Sequence, residues 1–227
     1  MNRLLEVCAA DIESAIAAVD GGAQRIELCS ALSADGVTPS GALIAAARAL
    51  PGIKLHVLIR PREGNFVYTP SEEAVMMADI GLAAGLGADG VVIGALTPEG
   101  EIDIPLCMRL VAKATGSGMQ VTFHRAFDRC IDPFNALEQI IAMGCTRLLT
   151  SGQAPTALEG VEMIAKLQKQ AGSRLIIMPG AGVNPTNAAE ILKATGCSEI
   201  HSSCRVNGEN ISSTRIVAEI LKSLFKN

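Results

Sequence analysis

The sequence predicts an α/β protein, an eight-stranded parallel (β/α)8 barrel, on three observations. Strand-length runs alternate strictly with segments of helical periodicity, eight of each, along the chain. The connections are short and no linker-like stretch interrupts them, so the 227 residues are expected to form one barrel domain over 1–227. No GxGxxG follows the first strand, whereas a dinucleotide-binding open sheet, the competing architecture, would carry one there.

The first thirty residues set the pattern. Leu4-Leu5-Glu6-Val7-Cys8 and Arg25-Ile26-Glu27-Leu28-Cys29 each alternate apolar and polar residues, as a strand with two different faces must. Between them Asp11 opens a helix that closes at Gly21-Gly22, which makes a βαβ unit with neighbouring parallel strands. A polar loop, Ser30 to Pro39, hands over at Ser40 to an alanine-rich helix that runs to about Leu50 and stops at Pro51-Gly52. Strand three is Lys54 to Arg60, cut off by Pro61. Thr69-Pro70-Ser71-Glu72-Glu73 then caps a helix that reaches Gly87.

Strand four, Gly90-Val91-Val92-Ile93-Gly94, is apolar on both faces, as a parallel strand covered by helices should be. A helix follows from Ile104 to about Ala114. Strand five is Met119 to His124, continuing into Arg125-Ala126-Phe127-Asp128. Asp132-Pro133 starts a helix with proline at its first position, ending at Met143-Gly144. Strand six is Thr146 to Thr150, and a helix is expected from about Thr156 to Gln170. Strand seven is Arg174 to Met178, and Asn184-Pro185-Thr186 starts the next helix. Strand eight is Glu199 to Ser202, and the last helix fills about Ser213 to Leu224.

Composition narrows the function. An apolar share of 49% argues against disorder, and no apolar run reaches the roughly 18–20 residues of a membrane span. The net charge of −4, without a Lys/Arg cluster, argues against a nucleic-acid or anionic-membrane partner. Five Phe, one Tyr and no Trp give no base-stacking platform. The amino terminus lacks a secretory pattern, and seven cysteines without a CxxC pair suit reduced thiols, so a cytoplasmic location is expected.

In such barrels the reactive groups lie at the carboxyl ends of the strands. There the sequence places Glu6/Cys8, Glu27/Cys29, Arg60/Arg62, Gly94, His124/Arg125, Thr150/Ser151, Gly180/Gly182 and His201/Ser202. Alternation turns Glu6, Arg25, Glu27, His56 and His201 into the barrel, where unpaired charge would be heavily penalised. Arg25, lying deeper, reads as part of a structural ion-pair network. Glu27, Arg60 and His124, at strand tips, read as catalytic candidates. Arg60, together with Arg62 and Arg125, also reads as a clamp for an anion. Gly180 and Gly182, in Pro179-Gly180-Ala181-Gly182, sit where barrels bind phosphate with backbone N–H groups, although glycines also simply make tight loops. Thr150 and Ser151 could add hydroxyls to that site, and His201 stands beside it. The ligand so read is a small phosphorylated or carboxylated metabolite, with no organic cofactor evident. The three histidines lack an HxH or HExxH pair, so a metal-dependent hydrolase is a minor alternative.

Cys107, Cys145 and Cys197 read as small buried hydrophobes. Cys8 and Cys29 are different, because neighbouring strands about 4.8 Å apart would set them at matching heights within reach of one ion. Soft thiolates select Cu(I) or zinc over hard cations, and two of them suit a linear Cu(I) site.

These fragments, taken in order, resemble the CutC copper homeostasis family. The likeness runs nearly end to end. It rests on Glu6-Val7-Cys8, Gly22-Ala23-Gln24-Arg25-Ile26-Glu27-Leu28-Cys29, Ile59-Arg60-Pro61-Arg62 with Gly64-Asn65-Phe66, and Gly87-Ala88-Asp89-Gly90. It continues through Val121-Thr122-Phe123-His124-Arg125-Ala126-Phe127-Asp128, Leu148-Leu149-Thr150-Ser151-Gly152, Ala157-Leu158-Glu159-Gly160 and Met178-Pro179-Gly180-Ala181-Gly182-Val183. The resemblance implies a TIM barrel, a cytoplasmic homo-oligomer linked to copper tolerance, and Cu(I) held by Cys8 and Cys29, with copper as the metal partner. One departure stands out. Many members carry a longer polar loop after strand eight, whereas Cys204-Arg205-Val206-Asn207-Gly208-Glu209-Asn210 leads quickly here into Ser212-Ser213, which predicts a more open mouth.

Overall fold

In the computed structural model, which describes residues 3–206 and 209–225, eight parallel strands alternate with eight α-helices. They are β1 (Leu4–Ala9), α1 (Ile12–Asp20), β2 (Arg25–Leu28), α2 (Gly41–Arg48), β3 (Lys54–Leu58), α3 (Pro70–Gly85), β4 (Gly90–Ile93) and α4 (Ile104–Gly116). The second half continues with β5 (Gln120–Phe123), α5 (Pro133–Ala142), β6 (Arg147–Thr150), α6 (Val161–Ala171), β7 (Ile176–Pro179), α7 (Ala188–Thr195), β8 (Glu199–Ser202) and α8 (Thr214–Leu224). The ladder runs β7-β6-β5-β4-β3-β2-β1-β8, so it curls almost fully round and leaves one seam. Packing closes that seam. β7 packs directly against β8 there, and beyond the strand ends the Ser202 hydroxyl donates to Val183 O at 2.8 Å.

Alternation sorts the side chains as the sequence implied. Leu5, Val7, Ile26 and Leu28 are fully buried in the layer between sheet and helices, the main apolar core. Cys8, Cys29, Leu58 and Val92 form a separate small apolar cluster inside the barrel top. The helices start where side chains meet the unpaired N–H groups of the first turn. Asp11, Ser40, Asp103 and Asp132 accept from backbone N–H groups of α1, α2, α4 and α5, and Thr69 with Glu72 closes a capping box on α3. None of the described helices is long and apolar enough to cross a membrane.

Several boundaries differ from the sequence reading. Helix α6 begins at Val161 rather than near Thr156, because Ala157 N–H donates to Ala181 O at 3.0 Å and draws that segment into a turn beside the β7–α7 loop. Strand β7 begins at Ile176 rather than Arg174, since α6 ends with Gly172 at φ 58 and the chain must still turn. Residues Arg125–Arg129 form a 3-10 turn rather than an extension of β5, with the His124 ring as its cap. Helix α7 starts at Ala188, after a turn held by Asn184 and Asn187. In the loop after β8, an antiparallel bridge pairs Arg205 with Ser212, while Asn207 and Gly208, part of the departure noted above, lie outside the described residues.

Candidate functional site

The barrel interior is a ladder of charges. Near its floor, Arg147 Nη1 donates to Gln120 Oε1 at 2.6 Å and Arg147 Nε to Glu199 Oε2 at 2.8 Å. Arg25 then bridges Glu199 and Glu6, donating to both carboxylates. Glu6 is wholly buried; burial alone would push its carboxyl up, but Arg25 and a hydrogen bond with His201 hold it well below the usual range. Glu6 Oε1 lies 2.9 Å from His201 Nδ1, and His201 Nε2 lies 3.3 Å from Glu27 Oε2. Pairing makes this charged interior tolerable, as the sequence required.

The top of the ladder opens into a cavity of about 610 Å³ at the carboxyl ends of the strands. Its lining includes Cys8, Cys29, Glu27, His201, Arg60 and His124, and the loops add Arg125, Asp128, Arg129 and Gly182. Burial lifts the Glu27 carboxyl to about 7, against the pull of His201. Burial opposes the charged form of His201, yet Glu27 and Glu6 outweigh it and raise its value. The protonation of each therefore depends on the other. Several loop residues at this mouth, Asp35, Gln153 and Ala181 among them, adopt positive φ (60°, 61° and 83°) without being glycine. Such strain gathers where surrounding structure fixes a functional geometry.

The register corrects one expectation. Cys8 pairs with Glu27 across the strands, not with Cys29, because the barrel stagger slides β2 relative to β1. The sulfurs meet nonetheless: Cys8 Sγ and Cys29 Sγ are 3.8 Å apart. Cys8 is 6% exposed and Cys29 0%, and all seven cysteines are free. The hydrogen bond with Cys29, then burial, pushes the Cys8 thiol well above its ordinary value. The Cys8 thiol, the Glu27 carboxylate and the His201 imidazole also form a cluster whose donor atoms lie within 4.8 Å of one another. His201 presents Nε2 to that cluster because Glu6 takes Nδ1, the outer-shell arrangement that orients a ligating histidine. Two thiols in an apolar cluster, with an imidazole and a carboxylate beside them, fit a soft or borderline cation.

Other candidates are placed differently. Arg62 does not reach the cavity. It pairs with Glu72 at 2.5 Å and donates to Asn65 and Val67, pinning the β3–α3 loop. Thr150 and Ser151 also fall behind the lining, where both donate their hydroxyls to Asp128. Gly180 is a packing glycine, since a Cβ there would meet Leu149 Cδ1 at 2.5 Å. Gly182 lines the cavity, and Arg125 does so while bonded to Asp128 and Ser151. The sequence reading missed Asp128, which holds Arg125, Thr150, Ser151 and the Gln153 N–H together. Gly94, which the sequence places at the end of strand four, makes room for the His124 ring, since a Cβ there would sit 2.5 Å from Nδ1. Gly90, at the other end of Val91-Val92-Ile93, makes the same room for His56.

Comparison with known proteins agrees with this geometry. The model of the CutC family matches residues 3–206. A CutC family protein from Chromobacterium violaceum is 50% identical over 205 residues, covering 90% of this chain and 82% of the relative. The crystal structure of a protein designated CutC and associated with copper homeostasis, from Streptococcus agalactiae, superposes with a TM-score of 0.84 at 34% identity, covering 88% of this chain and 98% of that one. A thiamine phosphate pyrophosphorylase from Pyrococcus furiosus, 19% identical with a TM-score of 0.65 and 98% and 95% coverage, shows the likeness of fold alone.

Proposed function

Because the chain belongs to the CutC family, we propose that it serves copper homeostasis by binding Cu(I) as cargo between the sulfurs of Cys8 and Cys29. The observation that carries this reading is the 3.8 Å approach of the two thiols at the base of the cavity. The pair is shielded from water and lined by Leu58 and Val92, which favours a soft, weakly hydrated ion over a hard one. Binding requires the thiols to lose protons, so affinity falls as pH is lowered. The thiols remain available only where they stay reduced, which supports a cytoplasmic location. The whole chain acts as one barrel domain, and the family likeness supports a homo-oligomer.

Titration against a chromophoric Cu(I) chelator, under anaerobic reducing conditions, tests the proposal. One equivalent per chain is expected, with affinity lost in the Cys8→Ser/Cys29→Ser variant. Unchanged affinity in that variant removes it.

A second reading is favoured by the 610 Å³ cavity, far larger than an ion needs and bordered by a carboxyl that titrates near 7. In it the barrel is an enzyme acting on a small anionic metabolite, with Glu27 exchanging a proton with substrate and His201 compensating the change. A thermal-shift screen of phosphorylated and carboxylated metabolites tests this, with stabilisation abolished in Glu27→Gln as the expected result. A screen without hits sinks it.

A further inference from the structure

Three buried arginines carry the charge inside this barrel, and two are matched. Arg25 meets Glu6 and Glu199, and Arg147 meets Glu199. Arg60, 2% exposed, has no carboxylate within ion-pair distance among the described residues. Its guanidinium donates instead to three backbone carbonyls, Ala34 O at 2.9 Å, Gly36 O at 2.6 Å and Gly64 O at 3.0 Å. These bonds lock the loops after β2 and β3 but leave the positive charge uncompensated, an expensive state for a buried cation. Three of the five N–H donors of an arginine are thereby used, and the Nε–H has no partner.

His124 stands on the same wall, 6% exposed. Its Nδ1 accepts the Ala126 N–H at 3.1 Å, so that nitrogen carries no proton and Nε2 carries it. Burial first, then the charge of Arg60, lowers the ring to about 3, so it is a neutral donor across the physiological range rather than an acid or base. Nε2 also lacks a partner. The half-buried Phe66 ring lies against both groups, 5.1 Å from the Arg60 guanidinium and 5.0 Å from the His124 ring. Two buried N–H donors and one uncompensated positive charge thus share a single wall of the cavity.

We infer that Arg60 and His124 form a subsite for an oxyanion, a carboxylate or phosphoryl group, on a small molecule whose body occupies the rest of the cavity. The inference rests on the second reading above and narrows its anion site to one arginine with His124. Of the three arginines that the sequence offers as clamps, Arg62 and Arg125 already hold Glu72 and Asp128, whereas Arg60 holds no acid. The anion supplies the missing counter-charge to Arg60 and an acceptor to His124, and entry moves the Phe66 ring aside. Gly94 is part of the device, because any side chain there would displace the His124 ring.

The test follows the His124 Nε2 resonance in full-length protein with 15N-labelled histidine, titrated with acetate, inorganic phosphate and neutral acetamide at matched ionic strength. A saturable shift with acetate alone assigns a carboxylate, with phosphate alone a phosphoryl group, and with both a general oxyanion site; acetamide leaves the resonance in place. Arg60→Gln, read with the Ala126 N–H signal, weakens binding about tenfold or more. That change also loosens two loops, so a second pair is read by calorimetry: His124→Gln keeps a donor and part of the affinity, and His124→Phe keeps neither. No saturable shift with either anion, an equal response to acetamide, or wild-type affinity in both Arg60→Gln and His124→Phe overturns the subsite. Metabolite hits that persist unchanged in those variants leave the small-molecule reading standing and remove the subsite. Anion binding without any metabolite hit does the reverse.

Discussion

Arg25→Met is the most informative perturbation of the framework beneath the site. Arg25 is the single cation between two buried carboxylates. Removing it leaves Glu199 with Arg147 at 2.8 Å, but leaves Glu6, wholly buried, with only the 2.9 Å contact to His201 and the distant His56. Breaking a buried pair on one side costs about 3–5 kcal/mol, a large part of the roughly 5–15 kcal/mol that holds a domain together. The pH dependence identifies the cause. In the native protein the Glu6 carboxyl lies below its ordinary value, so its contribution to stability is present above that value and is lost as pH falls through the folded one. Without Arg25, burial prevails and the folded value rises above the unfolded one, so the variant gains stability relative to wild type as pH falls. Urea unfolding at pH 7 and pH 5 measures both effects, with an unchanged m-value confirming two-state comparison. The loss should shrink at pH 5, and Glu6→Gln added to Arg25→Met should recover part of it at pH 7. A loss below about 1 kcal/mol at pH 7, or one equal at both pH values, refutes the account of the ladder.

Gly94→Ala drives a methyl group into the His124 ring, 2.5 Å from Nδ1, and should cost about 1–3 kcal/mol from overpacking, largely relieved by adding His124→Ala; independent, additive losses in the double variant would contradict the contact. His56, lowered by burial to about 4 from 6.5, stays neutral when folded and protonates first when unfolded, so its contribution is lost as pH falls below 6.5. His56→Leu should therefore flatten the acid limb of the stability curve by up to about 3 kcal/mol, and a limb of unchanged slope would refute this. Cys8→Ser/Cys29→Ser should leave the acetate and phosphate response of His124 within twofold of wild type, while Arg60→Gln should leave Cu(I) stoichiometry intact; loss of both properties in either variant would make the two walls one site.

The fold was legible because a buried parallel strand and an amphipathic helix differ in period, and because Leu5/Val7 and Ile26/Leu28 oppose Glu6/Cys8 and Glu27/Cys29 within a few residues. Boundaries were legible only where local chemistry set them. Asp132-Pro133 marks its helix start, whereas the segment from Thr156 to Gly160 is held out of helix by a bond to Ala181, which no local pattern reveals. The site divides in the same way. Glu27, Cys8 and Cys29 follow from a two-residue period, but the Glu6–His201 bond joins residues 195 apart and exists only once the barrel curls round. Arg62 and Arg60 look alike in sequence, two residues apart after one strand. Glu72, offered by the capping box of α3, occupies one of them and leaves the other without an acid.

Charge balance inside the barrel explains why the mouth differs from the floor. From Arg147 through Glu199 and Arg25 to Glu6, each cation faces a carboxylate, so this part of the ladder is neutral and carries no tendency to recruit anything. Balance stops at the level of the cavity. Burial raises the Glu27 carboxyl to about 7 while Glu27 and Glu6 raise His201, so the charge of this pair depends on what lies beside it. Arg60, with no acid partner, adds a fixed positive charge on the His124 wall. A cation entering at Cys8 and Cys29 would be met by thiols that must shed protons and by a Glu27 able to ionise, whereas an anion would be met by Arg60 and the neutral His124. The two proposed ligands thus meet opposite electrostatics on different walls. A neutral floor beneath them lets each wall keep its own sign, because no surplus charge from the core reaches either one.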